Sequence, residues 1–147
     1  MEQLLDALNR VLANTHAMYM KAHGFHWNVV GNDFPEYHAF FETIYSELYG
    51  AIDPIAEHIR ACSGYAPASY SAFSSLTAIP EQNGIPQALQ MVQELYQDNQ
   101  TVQQSLKIAY QAAEAAGEIG LSNFLQDRYD AHAKHGWMLR STIRVNP

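Results

Sequence analysis

A single cysteine, Cys62, is all the thiol this chain contains. One thiol closes no internal disulfide and builds no Cys-based zinc site, so both kinds of staple are excluded. Basic residues are scarce too: 8 Lys and Arg stand against 15 Asp and Glu, a formal net charge of −7. Non-specific nucleic-acid affinity comes mainly from neutralising phosphates, so this balance argues against a general phosphate-binding surface and is compatible with attracting small cations. No apolar run approaches the roughly 20 residues that span a bilayer, and the start "MEQLLDALNR" lacks a basic region followed by an apolar core. The expectation is a cytoplasmic protein with no membrane contact. Only 16% of the residues are charged while 48% are hydrophobic, which excludes disorder and is met most simply by one folded domain over residues 1–147.

What the chain has in plenty is histidine, seven in all, in three groups: His16, His23 and His26; His38 and His58; His132 and His135. The hydrophobic pattern says where they sit. Leu4, Leu8, Val11, Leu12, Thr15, Met18, Tyr19 and Ala22 recur at helical spacing and predict a long first helix over about the first 28 residues. After "NVVGND", Asp33 reads as an N-cap with Pro35 in the first turn and Glu36 completing a capping box. The second helix is expected from Phe34 to about Ser63, with Gly64 as its C-cap. A turn-rich stretch follows, with a short helical piece around Ser69 to Leu76. A third helix begins after Pro86, with Leu89, Val92, Leu95, Tyr96, Val102 and Leu106 on its apolar side, and a fourth runs from about Ser122 to about Ile143. The fold expected is all-α: a four-helix bundle whose long crossover connection, between helices two and three, contains a short helix. Pro54, inside helix two, should disturb it locally.

Helix two also carries the candidate chemistry. His38 and Glu42 are four residues apart, as are Asp53 and Glu57, so each pair lies on one helical face. Acidic pairs at this spacing usually belong to a solvated face, but carboxylates with imidazoles suit Fe, Mn or Zn. The two pairs are roughly 22 Å apart along the helix yet point within about 60° of each other. They therefore cannot share one ion within a chain. An antiparallel copy of helix two, related by a two-fold axis level with Glu47 and Leu48, brings His38 of one chain level with Glu57 of the other. His26, at the end of helix one, can join His38. The intrachain alternative of ferritin-type bundles needs Glu-x-x-His on two helices, and no Glu stands three residues before any of the seven histidines.

The segments "HWNVVGNDFPEYHAFFETIYSELYGAIDPIAEHIR", "CSGYAPASYSAF" and "DRYDAHAKHGWMLRSTI" together resemble the Dps family, the mini-ferritins of the ferritin-like superfamily. The resemblance covers nearly the whole chain. It implies a homo-oligomer, a dodecameric shell built from two-fold dimers, with a ferroxidase centre between subunits. His26 and His38 match the family's histidines, Asp53 and Glu57 the carboxylates from the facing subunit, Glu42 a further acidic ligand, and Trp27 the aromatic residue beside the centre. The activity implied is oxidation of Fe(II) by hydrogen peroxide or dioxygen and storage of ferric iron, which protects against oxidative damage. Zinc can take the same ligands. The family's lysine-rich DNA-binding tail has no counterpart in "MEQLLDALNR" or "RSTIRVNP", so DNA binding is not the favoured expectation. The acidic pore run is thinned to "GEIGLSN", leaving Glu118 and Asp127 as candidates for an iron route. Two other readings stand beside the ferroxidase: a structural or DNA-compacting shell, and a non-redox zinc or manganese binder.

Overall fold

The computed structural model describes residues 1–144; Val145, Asn146 and Pro147, the end of the "RSTIRVNP" segment, lie outside the described residues. Five helices carry the fold: α1 (Glu2–Asn28), α2 (Phe34–Ala61), α3 (Tyr70–Leu76), α4 (Ala88–Ala116) and α5 (Ile119–Ile143). Among the described residues there is no strand, and no helix is long and apolar enough to cross a membrane. The four long helices pair as the apolar stripes dictate. α1 packs along α2 on one side and α4 on the other, α4 packs along α5, and α2 meets α5 only sparsely. Leu8, Val11, Phe41, Ile44, Leu48, Ile55, Leu95, Val102 and Leu139 are fully buried between them. Each such side chain removed from water contributes about 1.5–3 kcal/mol before entropy is counted.

The crossover from α2 to α4 is turn-rich but fastened. Ser69 caps α3, its Oγ accepting from the Ala72 backbone N–H at 3.2 Å. Buried Asn14 on α1 accepts from Thr77 Oγ1 at 2.8 Å and from the Ala78 N–H at 2.9 Å. Lys21, also on α1 and nearly enclosed, donates to the Pro80 carbonyl at 3.0 Å and pairs with Asp98 at 3.0 Å and Glu94 at 3.4 Å. The ammonium thus ties one carbonyl of the crossover to two carboxylates of α4.

Several local expectations are corrected. The Asp33–Glu36 capping box does not form: Asp33 precedes α2 with φ −102° and ψ 30°, and its side chain makes no capping bond. The bend is made instead by Gly31 at φ 128°, a conformation open to glycine, whose carbonyl accepts from the Phe34 N–H at 3.2 Å. At the other end of α2 the left-handed residue is Ser63 (φ 67°), not Gly64. Gly64 is needed for space, since a Cβ there would lie 2.6 Å from Leu5 Cδ2. α5 starts at Ile119, three residues before the expected Ser122, because α4 ends at Ala116 and left-handed Gly117 turns the chain at once. Leu89, in the first turn of α4, is exposed rather than on the apolar side. α2 runs unbroken through Pro54; the carbonyl that loses its partner belongs to exposed Gly50, where water can satisfy it.

Candidate metal centre

The end of α1 and the start of α2 place His26 against His38. Their rings stack at 3.7 Å between centroids, 13° from parallel. Each Nδ1 lies 2.7 Å from the other residue's backbone carbonyl oxygen. A carbonyl only accepts, so Nδ1 of each ring carries a proton and donates it, which leaves Nε2 as the ring atom open to a ligand. The bond to the His26 carbonyl also answers a backbone need, since the last carbonyls of a helix lack intrahelical partners. Two imidazoles oriented through Nδ1 with Nε2 free are built as metal ligands are built. The rings are half enclosed by aromatics: Phe34 stacks on His38 at 4.9 Å and Tyr45 meets His26 edge-on at 5.0 Å.

Asp53 and Glu57 are not part of this cluster. They stand on the exposed far half of α2, about 22 Å or more along its axis from His38. Glu42, one turn after His38, is exposed as well. Counting 100° per residue from His38, Glu42, Tyr49, Asp53 and Glu57 fall within about 100° of one another, so one stripe of α2 carries all four ligand candidates of that helix. That stripe is uncovered, and among the described residues no three His, Cys, Asp or Glu side chains converge on one point able to hold a metal. Glu47 and Leu48 lie off the stripe: Leu48 is fully buried and Glu47 faces α5. Trp27 (65% exposed), Val30, Phe34 and Tyr49 extend the uncovered face with apolar surface.

The remaining histidines are occupied otherwise. His23 meets Tyr19 Oη through Nδ1 at 3.0 Å and stacks on Tyr45 at 3.9 Å; burial, then the neighbouring His26, lowers its pKa. His16 stacks on Phe73 of α3 at 4.6 Å, and the three histidines of α1 do not converge on one point. His58 lies against Phe124 at 4.4 Å. Glu118 is the residue before α5 and Asp127 is exposed on it.

Sequence reasoning missed the polar cluster inside the bundle. Arg128 of α5 grips Glu47 of α2 with two bonds, 2.5 Å to Oε2 and 3.0 Å to Oε1, and His135 Nε2 reaches the same Oε1 at 2.7 Å. His132 Nδ1 meets Asn99 Oδ1 of α4 at 2.7 Å. Burial alone would raise the pKa of Glu47; the hydrogen bonds from His135 and Arg128 and their charges overcome it and hold the carboxyl well below its ordinary range. The available signal was Arg128, His132 and His135 at i, i+4 and i+7, polar residues sharing one stripe of an otherwise apolar helix face.

Comparison with known proteins agrees with this architecture. The ferritin family's Ferritin-like domain matches residues 5–145. General stress protein 20U of Bacillus subtilis is 34% identical over 142 residues, covering 97% of this chain and 98% of that protein. The crystal structure of a Dps protein from Bacillus brevis superposes with a TM-score of 0.92 at 32% identity, covering 97% and 95% of the two chains. That of the Dps protein from Vibrio cholerae O1, a member of the ferritin-like diiron-carboxylate superfamily, gives 0.92 at 31%, covering 97% and 89%. The chain is a ferritin-like protein. Within that superfamily it belongs to the Dps family.

Proposed function

We propose that the chain is a ferroxidase of the mini-ferritin kind, completed by a second copy of itself. Two copies of α2 pack antiparallel about a two-fold axis, and the stripe of one supplies Asp53 and Glu57 to the His26, His38 and Glu42 of the other. Twelve such chains close a shell, in the cytoplasm, in which ferric iron is stored. Iron is the substrate and the cargo. Fe(II) is held by the imidazoles, and the hard carboxylate oxygens favour Fe(III), which lowers the potential of the bound couple. Two Fe(II) ions give one electron each to a hydrogen peroxide, which takes two protons and leaves as two waters, so no hydroxyl radical is released. Dioxygen is the alternative oxidant, and zinc competes for the same ligands.

The observation that carries this reading is the reciprocal bond between His26 and His38, which leaves both Nε2 atoms open beside a bare carboxylate stripe. A shell without metal chemistry has no need to fix two imidazole tautomers in this way.

The test is anaerobic loading of the purified assembly with Fe(II), then peroxide, while ferric absorbance and peroxide loss are recorded. Fast oxidation at about two Fe(II) per peroxide, with iron kept soluble, is expected. His38→Ala should lose the fast phase and keep its assembly. Oxidation no faster than in protein-free buffer would defeat the proposal and favour a shell or a non-redox metal binder.

A further inference from the structure

The cluster inside the bundle has the composition of a metal site with a guanidinium where the ion would be. Glu47 comes from α2, Asn99 from α4, and Arg128, His132 and His135 from α5, so three of the four long helices converge on it. Asn99 Nδ2 donates to the His132 backbone carbonyl at 2.9 Å, which makes its Oδ1 the acceptor toward His132. His132 therefore carries its proton on Nδ1, and its bare Nε2 accepts from Arg128 Nη2 at 3.3 Å. Burial, then the Arg128 charge, holds the His132 pKa well below the ordinary imidazole value, so the ring is neutral. An imidazole held through Nδ1 by an amide, aiming a lone pair at a cation shared with a carboxylate, is the arrangement proteins use for divalent ions. His135 adds a second ring on the same carboxylate, and its buried Nδ1 has no partner, as does Arg128 Nε.

We propose that Arg128 is the resident cation of a mid-bundle cation site, and that it excludes divalent transition metals from a ligand set of Glu47, His132 and His135. One carboxylate and two imidazoles suit Zn(II), Co(II) or Fe(II), with a position left for water. The guanidinium keeps its charge at every accessible pH, so the site is closed permanently rather than gated. It also holds the ligands apart: with the side chain in place they do not converge on one point. Bundles of the diiron-carboxylate class hold their metals inside the bundle; here the interior is taken and the uncovered stripe of α2 is left for iron. Only that last consequence rests on the ferroxidase reading.

The experiment removes the cation and offers Co(II), whose visible absorption reports its ligands. Arg128→Ala is made in a His38→Ala background, which silences the inter-subunit centre, and is compared with His38→Ala alone. Expected is one additional Co(II) per chain, an intense d–d band, and restoration by Co(II) of the thermal stability that Arg128→Ala loses. Adding Glu47→Gln and His132→Gln should abolish both signals. Arg128→Ser serves as a second carrier where Arg128→Ala needs the metal in order to fold. If neither variant takes up more Co(II) than its parent, or if lost stability stays lost with Co(II) present, the guanidinium is only a packing and ion-pair element and the proposal is wrong.

Discussion

Lys21 offers the sharpest quantitative test of the fold. Its side chain is 6% exposed and that of Asp98 4%. Burial raises the Asp98 pKa, the Lys21 charge and hydrogen bond lower it, and Glu94 raises it again, leaving it at about 6 against an ordinary 3.8. The folded protein therefore holds ionised Asp98 at a disadvantage even with its partner present. Lys21→Met keeps the aliphatic stem and removes the ammonium, and Asp98 can then take up a proton instead of remaining a bare charge. At about pH 7.5 that escape lies roughly 1.5 pH units above the folded pKa, so the Asp98 share of the loss is capped at about 2 kcal/mol. Losing the bond to the Pro80 carbonyl adds about 1 kcal/mol at either pH. At about pH 6 the Asp98 share falls toward zero, because protonation there is nearly free. The expected loss is thus about 2–3 kcal/mol at the higher pH and about 1 at the lower, read by denaturant unfolding of matched assemblies. An equal loss at both pH values, or one above about 4 kcal/mol at pH 7.5, would refute the argument, since it would mean that Asp98 cannot relieve its charge by protonation.

Glu47 gives the opposite pH dependence. Its folded pKa is depressed, so its contribution is present above the ordinary carboxylate value and lost as pH falls below it. Glu47→Gln should destabilise by about 1–3 kcal/mol near neutrality, discounted for the 35% exposure of the Glu47 side chain. The difference should shrink below about pH 4 in urea titrations of both proteins. Gly64→Ala should cost about 1 kcal/mol, because Leu5 must move from a new Cβ otherwise 2.6 Å away; thermal unfolding with Leu5→Ala as the relieving partner checks it. Asn14→Leu leaves the Ala78 N–H and the Thr77 hydroxyl without their acceptor and should cost about 2 kcal/mol, with hydrogen exchange rising first in the crossover.

The parts of this protein legible in its sequence are those governed by one-dimensional spacing. The α1 stripe from Leu4 to Ala22 announces itself because burial repeats with the helical period. That His38 with Glu42 and Asp53 with Glu57 share a stripe of α2 while standing far apart along it follows from the same spacing, since 15 residues fix both a distance and an angle on a straight helix. Facing is a different matter from level: midway between the pairs Glu47 and Leu48 turn inward and Tyr49 outward. Contacts between elements left no such trace. Arg128 meets Glu47 across 81 positions, and Asn99 meets His132 across 33, in pairings that no local rule connects. Turn chemistry misled where two residue types could serve the same bend: Asp33 has the chemistry of a cap, yet Gly31 makes the turn because it alone reaches φ 128° without strain.

The His26–His38 pair lies between these cases. Both histidines were visible, and their separation of 12 residues spans a helix end, a turn and a helix start. What could not be read is that each ring is held by the other's carbonyl. That requires the end of α1 and the first turns of α2 to run antiparallel and in contact, so that a donor on each strand of chain meets an acceptor on the other. The geometry has a consequence for substitution: both acceptors are backbone carbonyls, which an alanine keeps, so removing either ring takes away its partner's stacking at 3.7 Å but leaves the partner's Nδ1 bond in place. If both rings serve one iron site, as the ferroxidase proposal holds, His26→Ala and His38→Ala should each lower fast ferric absorbance about as far as the double variant does, whereas losses that simply add would mean that the two rings act independently.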